Sequence, residues 1–249
     1  MPQFFVDQKC RMHQPVEIKG ADAIHISKVL RLKKGDWIVI SDSSAENYRC
    51  TIVETSKKSV TCLVENKILR PAYRNPPALA IAAIRKDRFE WAIMKAVELG
   101  CEKIITFTSE RTVTFRSNSI GSKTKRWQKI IIEAAKQSGL RCKPTISPPI
   151  GFEEMLSKFK NYSPRLFLYE GENENSMHGT IKAHLDNTSK KSPLLIIGPE
   201  GGFTDTEVAT AKRSGAISVS LGAQILKVET AAVASIAILQ YELGNMNIA

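Results

Sequence analysis

The 249-residue sequence lacks most of the features that mark secreted, membrane-spanning or metal-dependent proteins. Its cysteines, Cys10, Cys50, Cys62, Cys101 and Cys142, are odd in number and scattered, with no pair at a redox or metal-ligand spacing, so they read as free thiols. Histidine is scarce, and His13, His25, His178 and His184 lie far apart, which argues against a zinc site and sets the expectation of no metal. No apolar run is long enough to span a bilayer, and Met1-Pro2-Gln3-Phe4-Phe5-Val6-Asp7 has no basic region leading into an apolar stretch. The expectation is a cytoplasmic protein with no membrane partner. The dinucleotide spacing G-x-G-x-x-G is also missing, which removes the simplest reading of a nucleotide enzyme.

Acidic residues are in short supply too, 25 against 36 Lys and Arg, for a formal charge of +11. The excess is local. Residues 111–143 hold nine bases and one acid, 144–193 balance six against six, and 194–249 hold five acids against three bases. A basic segment beside a neutral or acidic remainder suits a docked polyanion, because neutralising phosphates releases counterions. A solvated basic helix is the equal alternative.

Apolar patterning divides the chain. Residues 4–6, 37–40, 48–53 and 59–64 are short β-type runs separated by polar turns, and they predict a small barrel of antiparallel strands interrupted by a helix over 22–30. Three prolines within 71–77 mark a linker. Beyond it, strands predicted at 78–84, 103–108, 165–169, 194–197 and 217–221 alternate with helices at 87–99 and 123–138. A late helix over 229–243 is apolar nearly all round, so it is buried on several sides or against a second copy. Continuous apolar strands with helical connections predict an α/β fold with a mostly parallel sheet covered on both faces. The polar stretch 171–192 reads as loops around a short helix.

The chemistry concentrates after the strand at 194–197. Gly198-Pro199-Glu200-Gly201-Gly202-Phe203 leads into Thr204-Asp205-Thr206-Glu207, a capping box that opens a helix. Glycines let a ligand approach the backbone, whereas Pro199 removes a donor and Glu200 repels a pyrophosphate. A ligand with positive charge and few phosphates fits better, and a tight turn with no ligand is the bland alternative. Leu168-Tyr169-Glu170-Gly171 and Ser220-Leu221-Gly222-Ala223-Gln224-Ile225-Leu226 also follow strands, so three loops are placed to converge into a pocket.

The stretch 197–203 together with Leu221-Gly222-Ala223-Gln224-Ile225-Leu226-Lys227-Val228-Glu229-Thr230-Ala231 resembles the RsmE family, bacterial 16S ribosomal RNA uridine-N3 methyltransferases of the SPOUT superfamily. Further matches are His25 with Val29-Leu30-Arg31-Leu32, Glu98-Leu99-Gly100, Ser109-Glu110-Arg111, Arg126-Trp127-Gln128-Lys129 and Gln137-Ser138-Gly139. The resemblance implies a PUA-like RNA-binding barrel over 1–70, a linker over 71–77 and a SPOUT methyltransferase domain over 78–249, with a trefoil knot at roughly 165–243. It also implies a homodimer acting on 16S rRNA or the small ribosomal subunit, with S-adenosylmethionine as cofactor. The implied cofactor residues are Leu168, Tyr169, Glu170 and Gly171; Ile197, Gly198, Pro199, Glu200, Gly201 and Gly202; and Ser220, Leu221, Gly222, Ile225 and Leu226. The resembled family usually carries Arg where this chain has Lys227, often Arg at the position of Gln3, and Arg where this chain has Leu140, with Arg141 following immediately.

Methylating N3 of a uridine requires alignment and a way to handle the N3 proton. Glu200, Lys227 and Arg111 are the catalytic candidates. Glu229 reads first as a first-turn carboxylate favoured by the helix dipole. Arg31, Arg85, Lys86, Arg88, Arg111, Lys125, Arg126 and Arg141 are the expected RNA contacts, and Trp127 is either a base-stacking platform or core. Two alternatives stand beside this reading: a SPOUT methyltransferase acting on another rRNA or tRNA nucleotide, and a non-catalytic RNA-binding assembly factor.

Overall fold

The structure is a computed structural model that describes residues 1–56, 58–69, 73–112, 120–184 and 191–247. It divides into two compact units, Met1–Ala72 with Ala135–Lys143, and Tyr73–Ala134 with Pro144–Ala249. Residues 71 and 72 of the expected linker, 113–119 of the basic segment and 185–190 of the polar stretch lie outside the described residues.

In the first unit, β1 (Gln3–Phe5), β2 (Pro15–Lys19), β3 (Trp37–Ser41), β4 (Asn47–Thr55) and β5 (Ser59–Ile68) form a sheet in the order β1-β3-β4-β5-β2. Alternation sets the buried face: Val60, Cys62 and Val64 point inward from β5 while the residues between them are partly exposed. Phe4, Ile26, Ile38, Ile40 and Ile52 complete that core. Burial pushes the Cys62 thiol up to about 12 and Cys50 higher still, so neither is a nucleophile at neutral pH. The sheet corrects one expectation, since β1 pairs with β3 in parallel rather than antiparallel. It also contains β2, which the sequence hid: Pro15 opens an edge strand and Glu17 and Lys19 face out, leaving only Val16 and Ile18 as apolar signal. The helix expected over 22–30 is a short α1 (Gly20–Ile24) continued by a π-helical turn over His25–Val29. Within this unit Gln3 Nε2 donates to Ser41 Oγ at 2.9 Å and to the Leu140 carbonyl at 2.6 Å.

The second unit contains β6 (Ala78–Ala82), α2 (Lys86–Glu98), β7 (Lys103–Thr108), α3 (Ile120–Ser138), β8 (Thr145–Ile146), β9 (Ile150–Gly151), α4 (Phe152–Lys158), β10 (Arg165–Leu168), α5 (Met177–His184), β11 (Leu194–Ile197), α6 (Asp205–Arg213), β12 (Ile217–Val219) and α7 (Val228–Glu242). The sheet runs β12-β10-β11-β6-β7-β8, with β9 also on β7, and every pair is parallel. Every residue of β6, β10 and β11 is buried, the physical origin of the unbroken apolar sequence of β6 and β11 and of Leu166–Leu168 in β10. α7 packs on α2, α5 and β11. Gly100 ends α2 at φ +91°, and a side chain there would run into the Gln240 amide, which donates to the Leu99 carbonyl at 2.6 Å. The short elements β8, β9 and α4 carry too few residues for periodicity to reveal.

Just beyond β10, Glu172 is a carboxylate only 7% exposed. The Ser218 hydroxyl beside it, and the N–H groups of Glu174 and Asn175 that donate to it at 3.0 and 3.1 Å, hold its pKa at about 2 instead of the ordinary 4.5. A depressed pKa in the folded state stabilises the fold above the unfolded pKa, and that contribution fades as pH falls through the folded one. The stability gap between wild type and Glu172→Gln, followed by urea unfolding from pH 7 to 2, is therefore expected to be full above about pH 4.5 and to vanish near pH 2. A gap independent of pH would contradict this.

Candidate cofactor site

β12, β10 and β11 lie side by side and parallel, so their carboxyl ends deliver three loops to one edge of the sheet. The loops form one pocket, open to solvent on one side, the concave arrangement that takes small-molecule ligands. Leu168, Tyr169 and Glu170 line it from β10. Ile197, Gly198, Pro199 and Gly202 line it from β11, and Ser220, Leu221, Gly222, Ile225 and Leu226 from β12. Three expected residues do not face it. Gly171 lies against the Tyr169 ring, which sits 2.8 Å from where its β-carbon would be, and Glu200 and Gly201 are on the outer side of their loop. Ala223 and Gln224, within the expected third loop, line the pocket too, and four residues outside the expected loops join them: Phe203, Val219, Val228 and Ala231. For Val228 and Ala231 a signal existed, because positions three apart on the first turn of α7 share a face.

Local chemistry explains the loop over 198–202. Gly202 adopts φ +69°, and a β-carbon there would meet a carboxylate oxygen of Glu170. A β-carbon on Gly198 would stand 2.5 Å from the Phe203 ring. The loop ends in the capping box: Glu207 N donates to Thr204 Oγ1 at 3.3 Å, Thr204 N to Glu207 Oε2 at 3.0 Å. Glu207 Oε1 also accepts from Glu110 N at 2.9 Å, tying the segment after β7 to the start of α6.

Glu170 is the only carboxylate among the lining residues, and no lysine or arginine joins it. Without cations, the pocket does not suit a polyphosphate. A cationic nucleoside held largely by backbone groups fits: glycines give access, apolar walls receive rings, and one carboxylate answers the positive charge. Among the described residues no group of three or more His, Cys, Asp and Glu is placed to hold a metal, and no helix is long and apolar enough to cross a membrane.

The other expected site residues are distributed as follows. Lys227 is exposed at the N-cap of α7, where its carbonyl accepts from Ala231 N at 2.8 Å. Arg111 Nη1 donates to the Gly201 carbonyl at 3.1 Å. Arg88 lies 3.7 Å from Glu200 and 3.8 Å from Glu229. Arg126 pairs with Glu90 at 2.6 Å, while Arg85, Lys86 and Lys125 are exposed. In the first unit Arg31 is exposed at φ +54° and Arg141 donates to the Ala45 carbonyl at 3.3 Å. Trp127 is 5% exposed and packs on Phe89 with centroids 4.5 Å apart, so it is core and not a stacking platform.

Residues 73–240 match the RNA methyltransferase domain family, and residues 18–65 match the RNA methyltransferase PUA domain family. Fold and site therefore define an RNA methyltransferase domain joined to a PUA domain. The chain is 33% identical to ribosomal RNA small subunit methyltransferase E of Mesomycoplasma hyopneumoniae, over 94% of this chain and 96% of that one. It is 29% identical to the protein of the same name from Bacillus subtilis, with 97% of each chain covered. A crystal structure of ribosomal RNA small subunit methyltransferase E from Neisseria gonorrhoeae bound to S-adenosyl methionine superposes with a TM-score of 0.85 at 26% identity, over 97% of each chain. The chain belongs to the ribosomal RNA small subunit methyltransferase E family, the family its motifs resemble.

Proposed function

We propose that the chain transfers a methyl group from S-adenosylmethionine to N3 of a uridine in 16S rRNA, as a cytoplasmic homodimer. The observation that carries the reading is the three-loop pocket with a single carboxylate and no cation, in a chain of this family. The cofactor supplies a methyl group on a sulfonium, which leaves as a neutral thioether. The residues therefore have two tasks: holding N3 in line, worth on the order of 7–11 kcal/mol for an ideal arrangement, and handling the N3 proton. Lys227, at the N-cap of α7 beside the pocket, is the group proposed for the developing uridine anion, whereas Glu200, paired with Arg88 at 3.7 Å, is not given the proton.

A trefoil knot over 165–243 is supported by the sheet order. The chain lays down β10 two places from β6, fills the gap with β11, and then passes through 220–227 before α7 returns to α2. Homodimerisation is supported by the exposed Ile238 and Tyr241 on α7 and Trp91 on α2, 36%, 68% and 43% exposed. The RNA-docking part is assigned to 1–70 and the transferase to 78–249.

Calorimetry with S-adenosylmethionine is expected to show one site per chain, and absence of binding would leave only the assembly-factor reading. Mass spectrometric mapping of 16S rRNA from cells lacking the gene is expected to lose one N3-methyluridine. An unchanged signal there, with binding intact, would move the target to another nucleotide.

A further inference from the structure

The two loop residues that turn away from the pocket, Glu200 and Gly201, are the two held by arginines. Arg111 Nη1 donates to the Gly201 carbonyl at 3.1 Å, and its Cβ lies 3.2 Å from where a Gly201 β-carbon would be, an approach that favours glycine. Arg88 Nη1 stands 3.7 Å from Glu200 Oε1, and its Nε 3.8 Å from Glu229 Oε1. The sheet order gives this a simple geometry. Pocket loops follow β12, β10 and β11, whereas Arg88 follows β6 and Arg111 follows β7, the strands on the opposite side of β11. The loop over 198–202 thus has the cofactor space on one flank and two guanidinium groups on the other.

We infer that Arg88 and Arg111 are positioning residues that brace the cofactor loop, and that they are not the RNA contacts their charge suggests. The inference rests on the cofactor reading of the pocket. Arg111 fixes the loop backbone through a carbonyl. Arg88 ties the loop to the start of α7, whose Val228 and Ala231 form another wall of the same pocket. Glu229 supports this role: its Oε2 is buried and has no hydrogen-bond partner among the described residues, so Arg88 is the cation that offsets its charge. A carboxylate in this position would be costly to retain if Arg88 were withdrawn to a phosphate.

The experiment compares wild type with Arg88→Met, Arg88→Lys and Arg111→Met. It measures S-adenosylmethionine affinity by calorimetry, KM for that cofactor against kcat, and the salt dependence of binding to a 16S rRNA transcript without cofactor. The braces predict a Kd and KM for S-adenosylmethionine raised about tenfold in both Met variants, with kcat changed far less. Arg88→Lys is expected to recover most of the loss, because an ammonium keeps both ion pairs while altering the packing. The slope of log affinity against log salt is expected to match wild type, whereas each lost phosphate contact would reduce it by about one. A reduced slope with unchanged cofactor affinity overturns the inference, as does an Arg88→Lys variant no better than Arg88→Met. Failure of the wild type to bind S-adenosylmethionine would instead overturn the cofactor reading on which it stands.

Discussion

Gly202→Ala is expected to leave a folded protein whose affinity for S-adenosylmethionine falls at least thirtyfold. At φ +69° an alanine β-carbon carries a backbone cost of roughly 1–2 kcal/mol. The larger effect is positional, because that β-carbon would occupy the space of a Glu170 carboxylate oxygen, the one anionic group lining the pocket. Relief requires moving either the loop or the carboxylate, and each change degrades the site. Calorimetry gives the affinity, and the thermal midpoint should drop by only a few degrees, about 2–4 °C per kcal/mol for a chain of this size. An unchanged Kd would remove the Gly202–Glu170 contact from any role in binding.

Phe203→Ala is expected to have the largest effect on stability, a loss of about 3–5 kcal/mol, because it removes a buried ring whose surroundings collapse only in part. Phe203 is 4% exposed and lies 4.4 Å from Phe167, 5.2 Å from Phe152 and 6.3 Å from Phe107, ring centre to ring centre. Urea unfolding should show a lower midpoint with an unchanged slope. Phe203→Leu should recover much of the stability while still weakening cofactor binding, since the ring also lines the pocket and abuts Gly198. Equal stability of the Ala and Leu variants would place the cost elsewhere than in the cavity.

The elements that were legible in the sequence are those where one physical pattern dominates. Leu194–Ile197 reads as a strand because burial on both faces requires four apolar residues in a row, and Thr204 with Glu207 reads as a helix start because the reciprocal cap needs those two types three apart. The convergence of three glycine-containing loops followed from strands that end at one edge. What stayed hidden depends on partners remote in sequence. The parallel pairing of β1 with β3 leaves no local trace, and neither does the position of β11 between β10 and β6. Which residues of a glycine loop line the pocket is likewise set by neighbours, and Phe203 lines it while Glu200 and Gly201 do not. Charge was the least informative signal: Arg88, Arg111, Arg126 and Arg141, equivalent as members of a basic set, each have a specific partner in the structure.

The placement of β11 has a further consequence for how the second unit is assembled. β6 is made early, yet one of its two neighbours is synthesised more than a hundred residues later, and the apolar face of α2 waits longer still for α7. Pairings this distant in sequence close slowly, because a long segment must be ordered before they form. During synthesis the first βαβ segment would therefore emerge with an open strand edge and an uncovered helix, surfaces that favour aggregation and recruit chaperones. The arrangement that brings three loops to one pocket also makes that pocket among the last features of the domain to form.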